Sequence, residues 1–220
     1  IVLVGQHHSK ATRTLLRGSA TPVVEVLEAS GKPIDCCVGF SNFAASYEIT
    51  SRLVTCGLDK IAFICAPLSG NDRVQRRLDG YKHALAEAGV AFDQTLVATA
   101  EFSIKKGMHA FAAMISRHPD LRAVVSNDIL GVGVLLHCLR AGIDVPGQVS
   151  VTGFDDLELA SIVEPPLTTV RINGRRMGEV AAEEILTRQH GSAAGPKTID
   201  LGYETAWRGS TPAECKPPRA

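Results

Sequence analysis

The chain has 220 residues, 45% of them apolar, and its 23 Lys and Arg are matched by 23 Asp and Glu, for a formal net charge of zero. That length and apolar content support a sizeable core, in one domain or two small ones. The charge balance excludes the basic excess that phosphate-backbone binding draws on, and no apolar run approaches the ~18 residues that a membrane span needs.

The first strand candidate is IVLVG at 1–5, with His7 and His8 just past its carboxyl end. PVVEV (22–26) and CCVGF (36–40) are the next short apolar runs. Glycine followed by an apolar residue then closes an amphipathic stretch three times, at Cys56-Gly57-Leu58, Ala88-Gly89-Val90 and Ala141-Gly142-Ile143. Glycine takes the left-handed conformation that ends a helix, and the apolar residue folds back on the last turn. After each stop comes another strand candidate: KIAFICA (60–66), TLVAT (95–99) and VSVTGF (149–154).

A helix over Asn71–Ala88 gathers Val74, Leu78, Tyr81, Leu85 and Ala88 on one stripe and leaves Arg73, Arg76, Asp79 and Glu87 to water. RAVVSN (122–127) enters the third closed helix through Asn127 or Asp128, either of which is a good N-cap. Pro165-Pro166 leads to Thr168-Thr169-Val170, and a further helix covers about Gly174–Gln189 and ends at Gly191. The proline-bearing tail from Ser210 reads as frayed. Short strands alternating with helices argue for βα units and a parallel sheet.

Six cysteines form no C-x-x-C pair, and Cys36 and Cys37, adjacent on a strand, point to opposite faces. Buried free thiols are expected, which favours a reducing cytoplasm. His7 and His8 lack the partners of a metal site, so a loop contact to a ligand is the chemical reading kept for them. Asp155 and Asp156 end an apolar strand where ligands bind in open α/β sheets. No histidine or second acid stands at a spacing that completes an acid/base set, leaving a turn role or hydrogen bonding to a polar ligand. Gly131-Val132-Gly133 is only a fragment of a dinucleotide fingerprint, and P-loop and nucleophile-elbow motifs are absent. Arg77 lies one turn before Gly80, a glycine that permits close helix packing.

Three motifs together resemble the effector-binding domain of LacI/GalR-type bacterial transcription regulators. They are Arg77, Gly80, Tyr81, Ala84, Leu85 and Gly89 in R-x-x-G-[FYW]-x-x-A-[LM]-x-x-x-G; A-V-V-x-x-N-D ending in Asn127 and Asp128, with G-I-D-V-P at 142–146; and V-S-V-T-G-F-D-D followed by P-P-L-T-T-V. D-C-C-V-G-F-S-N-F-A-A (35–45) and I-D-L-G-Y (199–203) look closest to the gluconate-repressor branch.

The resemblance implies an α/β, two-lobed periplasmic-binding-protein-like (type I) fold with parallel sheets flanked by helices. One lobe would comprise 1–40 plus 173–201, and the other 41–172 plus 202–212, with 213–220 as a tail. Arg77, Asn127 and Asp155 would line the cleft and hydrogen-bond a small sugar or sugar acid, with Phe154 as an apolar wall, His7 and His8 as loop contacts and Asp156 serving the turn. Arg77 would offer a carboxylate its best geometric partner. Family members begin with a helix-turn-helix headpiece and two further βα units. None is present, so residue 1 is expected not to be the natural start. The resemblance thus implies a cytoplasmic homodimer that meets operator DNA only through a headpiece outside this sequence, without cofactor, metal, catalysis or membrane contact. The alternative on the same architecture is a periplasmic sugar-binding protein of a transport system, which a signal peptide or lipobox upstream would reveal.

Overall fold

The computed structural model of the chain describes residues 1–191 and 195–217. Ten strands and seven α-helices follow one another as β1 (Val2–Val4), α1 (Lys10–Arg17), β2 (Val24–Val26), β3 (Cys36–Gly39), α2 (Asn42–Thr55), β4 (Ile61–Cys65), α3 (Asp72–Glu87), β5 (Val97–Thr99), α4 (Ile104–Arg117), β6 (Ala123–Ser126), α5 (Asp128–Ala141), β7 (Ser150–Asp155), α6 (Glu158–Ile162), β8 (Thr168–Arg171), α7 (Gly174–Gln189), β9 (Lys197–Asp200) and β10 (Glu204–Ala206).

The strands form two sheets. A four-stranded sheet has the order β1-β2-β3-β9 and a six-stranded sheet the order β10-β8-β7-β6-β4-β5. Every pairing is parallel except β10 against β8. The chain passes between the sheets three times, through residues 40–41 after β3, 172–173 after β8 and 201–203 after β9.

Strand residues that alternate in direction supply two cores in the six-stranded sheet. Ala62, Ile64, Val124 and Val151 face α4 and α5 with Phe111, Met114 and Leu130, while Ile61, Phe63, Ala123, Val125 and Phe154 face α2 and α3 with Leu53, Leu78 and Tyr81. The glycines that mark the three stops, Gly57, Gly89 and Gly142, all have positive φ, at 79°, 70° and 67°. No strand lies beside the outer edge of β1 among the described residues, and Val2 and Val4 are more than half exposed.

Gly80 sets the spacing of α2 and α3. A Cβ there would run into the carbonyl oxygen of Phe43 and stand 2.9 Å from the Tyr47 nitrogen, both backbone atoms that cannot turn aside. Gly80→Ala is therefore expected to lower the unfolding free energy by about 2 kcal/mol, measured by urea denaturation. A loss below ~0.5 kcal/mol would show that the two helices part freely.

The frayed reading of the segment from Ser210 is corrected by its packing. Ser210 is fully buried, its backbone carbonyl accepts from Val151 N–H, its hydroxyl donates to Val151 O at 2.6 Å and accepts from Thr168 N–H at 2.8 Å. A short 3-10 turn, Ala213–Cys215, then buries Cys215. Of the expected tail, 218–220 lie outside the described residues.

Candidate functional site

Close packing at Gly80 places Arg77, one turn earlier on α3, against the start of α2. Arg77 Nε donates to Asn42 Oδ1 at 2.7 Å, and fully buried Asn42 passes the contact on, donating through Nδ2 to Leu27 O at 2.7 Å and to Glu28 Oε2 at 2.9 Å. Leu27 has a φ of 72°, a conformation that side chains other than glycine seldom adopt. A hydrogen-bonded chain thus runs from the six-stranded layer to the loop after β2 in the four-stranded one.

The guanidinium of Arg77 lies over Phe154, with Cζ 3.4 Å from the ring centroid. Its Nη2 is 3.6 Å from Asp155 Oδ1, too far for a direct hydrogen bond. The two side chains are 16% and 26% exposed. Burial lowers the guanidinium to about 10, opposed by the charge of Asp155. For Asp155, burial raises the carboxyl above its usual range and the positive charge of Arg77 works against that rise. Asp155 and Asp156 have φ values of 108° and 54°, so the strand end carries two consecutive residues in unfavourable backbone geometry.

Asn127, on the neighbouring strand end, is 8% exposed and caps α5, its Oδ1 accepting from Leu130 N–H at 2.9 Å. It lines a cavity of about 20 Å³ with Arg77, Phe154 and Ser46, room for one water. The structure therefore brings Arg77, Asp155, Phe154 and Asn127 together. It does not bring the histidine rings to them. His8 Nε2 lies 2.8 Å from Oε1 of fully buried Glu25, whose other oxygen accepts from Ile34 N–H. His7 is exposed, and its backbone N–H donates to Asp72 Oδ2 at 3.1 Å.

Asp72 was unmarked in the sequence beyond its place in the first turn of a helix. Its Oδ2 accepts from the N–H groups of both Gln6 and His7, at 2.5 and 3.1 Å, so the amino end of α3 is latched to the loop after β1. Asn42 and Glu28 were likewise unmarked. Their partners are remote in sequence, and no local spacing announces them.

Asp128 is fully buried behind Asp155. Its Oδ1 accepts from the Thr169 hydroxyl at 2.5 Å and its Oδ2 from Leu157 N–H at 2.6 Å. Burial raises its carboxyl from 3.8 to about 6, with those two hydrogen bonds opposing the rise. Since the folded value lies above the unfolded one, the folded chain holds more protons between about pH 4 and 6, and this group's contribution to stability falls as pH rises through that window. Asp128→Asn keeps an acceptor for Leu157 and can donate to Thr169. It is expected to remove the fall and raise stability at pH 7 by roughly 1–2 kcal/mol, measured by urea denaturation at several pH values. An unchanged pH profile would assign the titration to another group.

A planar donor fork, a carboxylate acceptor, an amide and an aromatic face converge here, the group types that hydrogen-bond and stack on polyhydroxylated molecules, around a cavity that in this arrangement has room for one water. Among the described residues no group of three or more His, Cys, Asp and Glu could hold a metal ion.

Residues 50–211 match the model of the periplasmic binding protein-like domain family. The chain is similar to the HTH-type transcriptional regulator GntR of Escherichia coli K12, 29% identical over 211 residues, which is 96% of this chain and 63% of that protein. It thus spans less than two thirds of that relative's length. Among solved structures it resembles the transcription regulator GntR from Chromobacterium violaceum, with TM-score 0.88, 33% identity, and coverage of 96% of this chain and 77% of that one. The transcriptional regulator CelR in complex with cellobiose is similar at TM-score 0.83 and 30% identity, over 95% of this chain and 64% of that one.

Proposed function

We propose, for a chain that belongs to the LacI family of transcription regulators through its periplasmic-binding-protein-like domain, the role of an effector sensor that binds a small sugar or sugar acid between its two layers. The observation that carries this reading is the 3.6 Å gap between Arg77 Nη2 and Asp155 Oδ1. A hydroxyl lying to one side of the pair, within hydrogen-bond reach of both atoms, would accept from the guanidinium and donate to the carboxylate. Phe154, Asn127 and Ser46, whose buried hydroxyl lacks a partner among the described residues, line the small cavity beside Arg77.

In this reading residues 1–40 with 173–201 form one lobe and 41–172 with 202–212 the other. The contacts that cross between them, Asp72 to the Gln6 and His7 backbone and Asn42 to Leu27 and Glu28, are those that a bound effector would strengthen or break. An effector shifts such an equilibrium only by binding one arrangement better, and couplings of this kind are typically about 1–3 kcal/mol. The protein acts as a homodimer in the cytoplasm, where its free cysteines stay reduced, and reaches operator DNA through a headpiece outside this sequence. Titration calorimetry with a panel of sugars, sugar acids and polyols tests the sensor role. Binding that is lost in Asp155→Asn supports it, and no binding across the panel rejects a sugar-like effector. Sedimentation velocity tests the dimer.

A further inference from the structure

Two buried polar atoms without a hydrogen-bond partner among the described residues, Glu28 Oε1 and Ser30 Oγ, belong to residues that line one cavity of about 350 Å³. It lies between the loops after β1 and β2 and the amino end of α3. Glu28 is 2% exposed and its Oε1 meets no donor among the described residues, a state that is costly unless something supplies the missing bond. A hydroxyl or other donor of a ligand would do so once the loop after β2 shifts enough to bring Oε1, which has almost no accessible surface in this arrangement, to the cavity wall.

The same cavity is bordered by Arg13, Lys32 and Arg76, against two carboxylates, Glu28 and Asp72. Asp72 is occupied by the backbone of Gln6 and His7 and by Arg73. Arg13 is tied to the carbonyls of Gln6 and Lys32. Lys32 and Arg76 are exposed at the rim and enter no ion pair among the described residues. Free cations therefore exceed free anions. Arg77 is in the opposite condition, with Nε on Asn42, its face on Phe154 and Nη2 directed at Asp155.

We propose that this cavity reads an anionic group on the effector, carboxylate or phosphate, with Lys32 and Arg76 as its cations, while Glu28 accepts from an adjacent hydroxyl and Arg77 with Asp155 holds the far, uncharged end. The two subsites are joined by Asn42, which hydrogen-bonds both Arg77 and Glu28. This inference rests on the reading that the cleft binds a sugar-like effector, and it reverses the expectation that Arg77 meets the acid.

Calorimetry with two matched pairs, gluconate against glucitol and glucose 6-phosphate against glucose, tests it on wild type, the double variant Lys32→Gln/Arg76→Gln and Arg77→Lys. In at least one pair the anion is expected to bind about tenfold tighter or more, and the double variant to bring it down to its neutral partner. Which pair shows the effect separates carboxylate from phosphate. An anion preference that survives the double variant but disappears in Arg77→Lys overturns the proposal and leaves the cleft in place. Equal or tighter binding of the neutral partners in both pairs does the same. If none of the four compounds binds, the sugar-like effector falls together with the inference.

Discussion

Arg77→Ala is expected to lower the stability of the chain by about 3 kcal/mol or more and to weaken effector binding about ten- to hundredfold. Removing one partner of a buried ion pair leaves an uncompensated charge, at a cost of about 3–5 kcal/mol. Here the abandoned groups are the Asp155 carboxylate and the Asn42 amide oxygen, and the Phe154 ring loses the cation on its face. Loss of the charge-assisted contact to the ligand alone is worth roughly 1.5–3 kcal/mol, about ten- to hundredfold in affinity. Urea denaturation and calorimetry measure the two effects. Arg77→Lys provides a better-folded comparison, keeping the charge but losing the fork that reaches Asn42 and Asp155 together. Stability within ~0.5 kcal/mol of wild type in Arg77→Ala would mean that the Asn42 relay carries no tension between the layers.

What the sequence made legible at this site was local. Arg77 could be singled out because Gly80, one turn away, has no other reason to interrupt a helix. Asp155 stood out because it ends an apolar strand, and Asn127 because it precedes a helix. Each signal lies within a few residues of its target. Glu28, Asn42 and Asp72 gave no signal, since their meaning depends on contacts with Arg77, Gln6 and His7 that form only when distant segments pack. Asp72 and Gln6 are 66 positions apart. His7 and His8 show the converse: a place at a strand's carboxyl end put them on the right side of the sheet, but His8 turns toward Glu25 on the next strand. The strands alternating with helices and the three helix stops were readable because strands buried on both faces are continuous apolar runs and left-handed glycines are a backbone property. α1 went unread. Its eight residues have only Ala11, Leu15 and Leu16 as apolar ones, and none of the eight is buried. The segment at Ser210 was misread because proline-rich composition says nothing about a hydroxyl that bridges β7 and β8.

The same contrast governs Asp156, which the sequence assigned to a turn. Its Oδ1 accepts from Arg208 Nη2 and its Oδ2 from Arg171 Nε, both at 2.6 Å, so one carboxylate ties the end of β7 to β8 and to the segment after β10. Burial pushes the carboxyl up, but the hydrogen bonds from the two arginines outweigh it and hold it below the ordinary range. With the folded value below the unfolded one, the stabilisation is present above the unfolded value, about pH 4, and is lost as pH falls through the folded one. Asp156→Ala is expected to cost about 3 kcal/mol at pH 7. Most of that comes from Arg208, 17% exposed and left without its anion, and little from Arg171, which is half exposed and rehydrates. The clamp also holds the strained backbone that aims Asp155 at Arg77. Effector affinity should therefore fall about tenfold in Asp156→Ala, at temperatures where the variant is folded, although Asp156 itself faces the arginines and not the cleft. Asp156→Asn, with one oxygen left to accept, should retain part of both effects and lose the acid-side dependence. If Asp156→Ala is destabilised while its affinity stays at the wild-type value, the clamp supports the fold alone and Asp155 is aimed by its own strand.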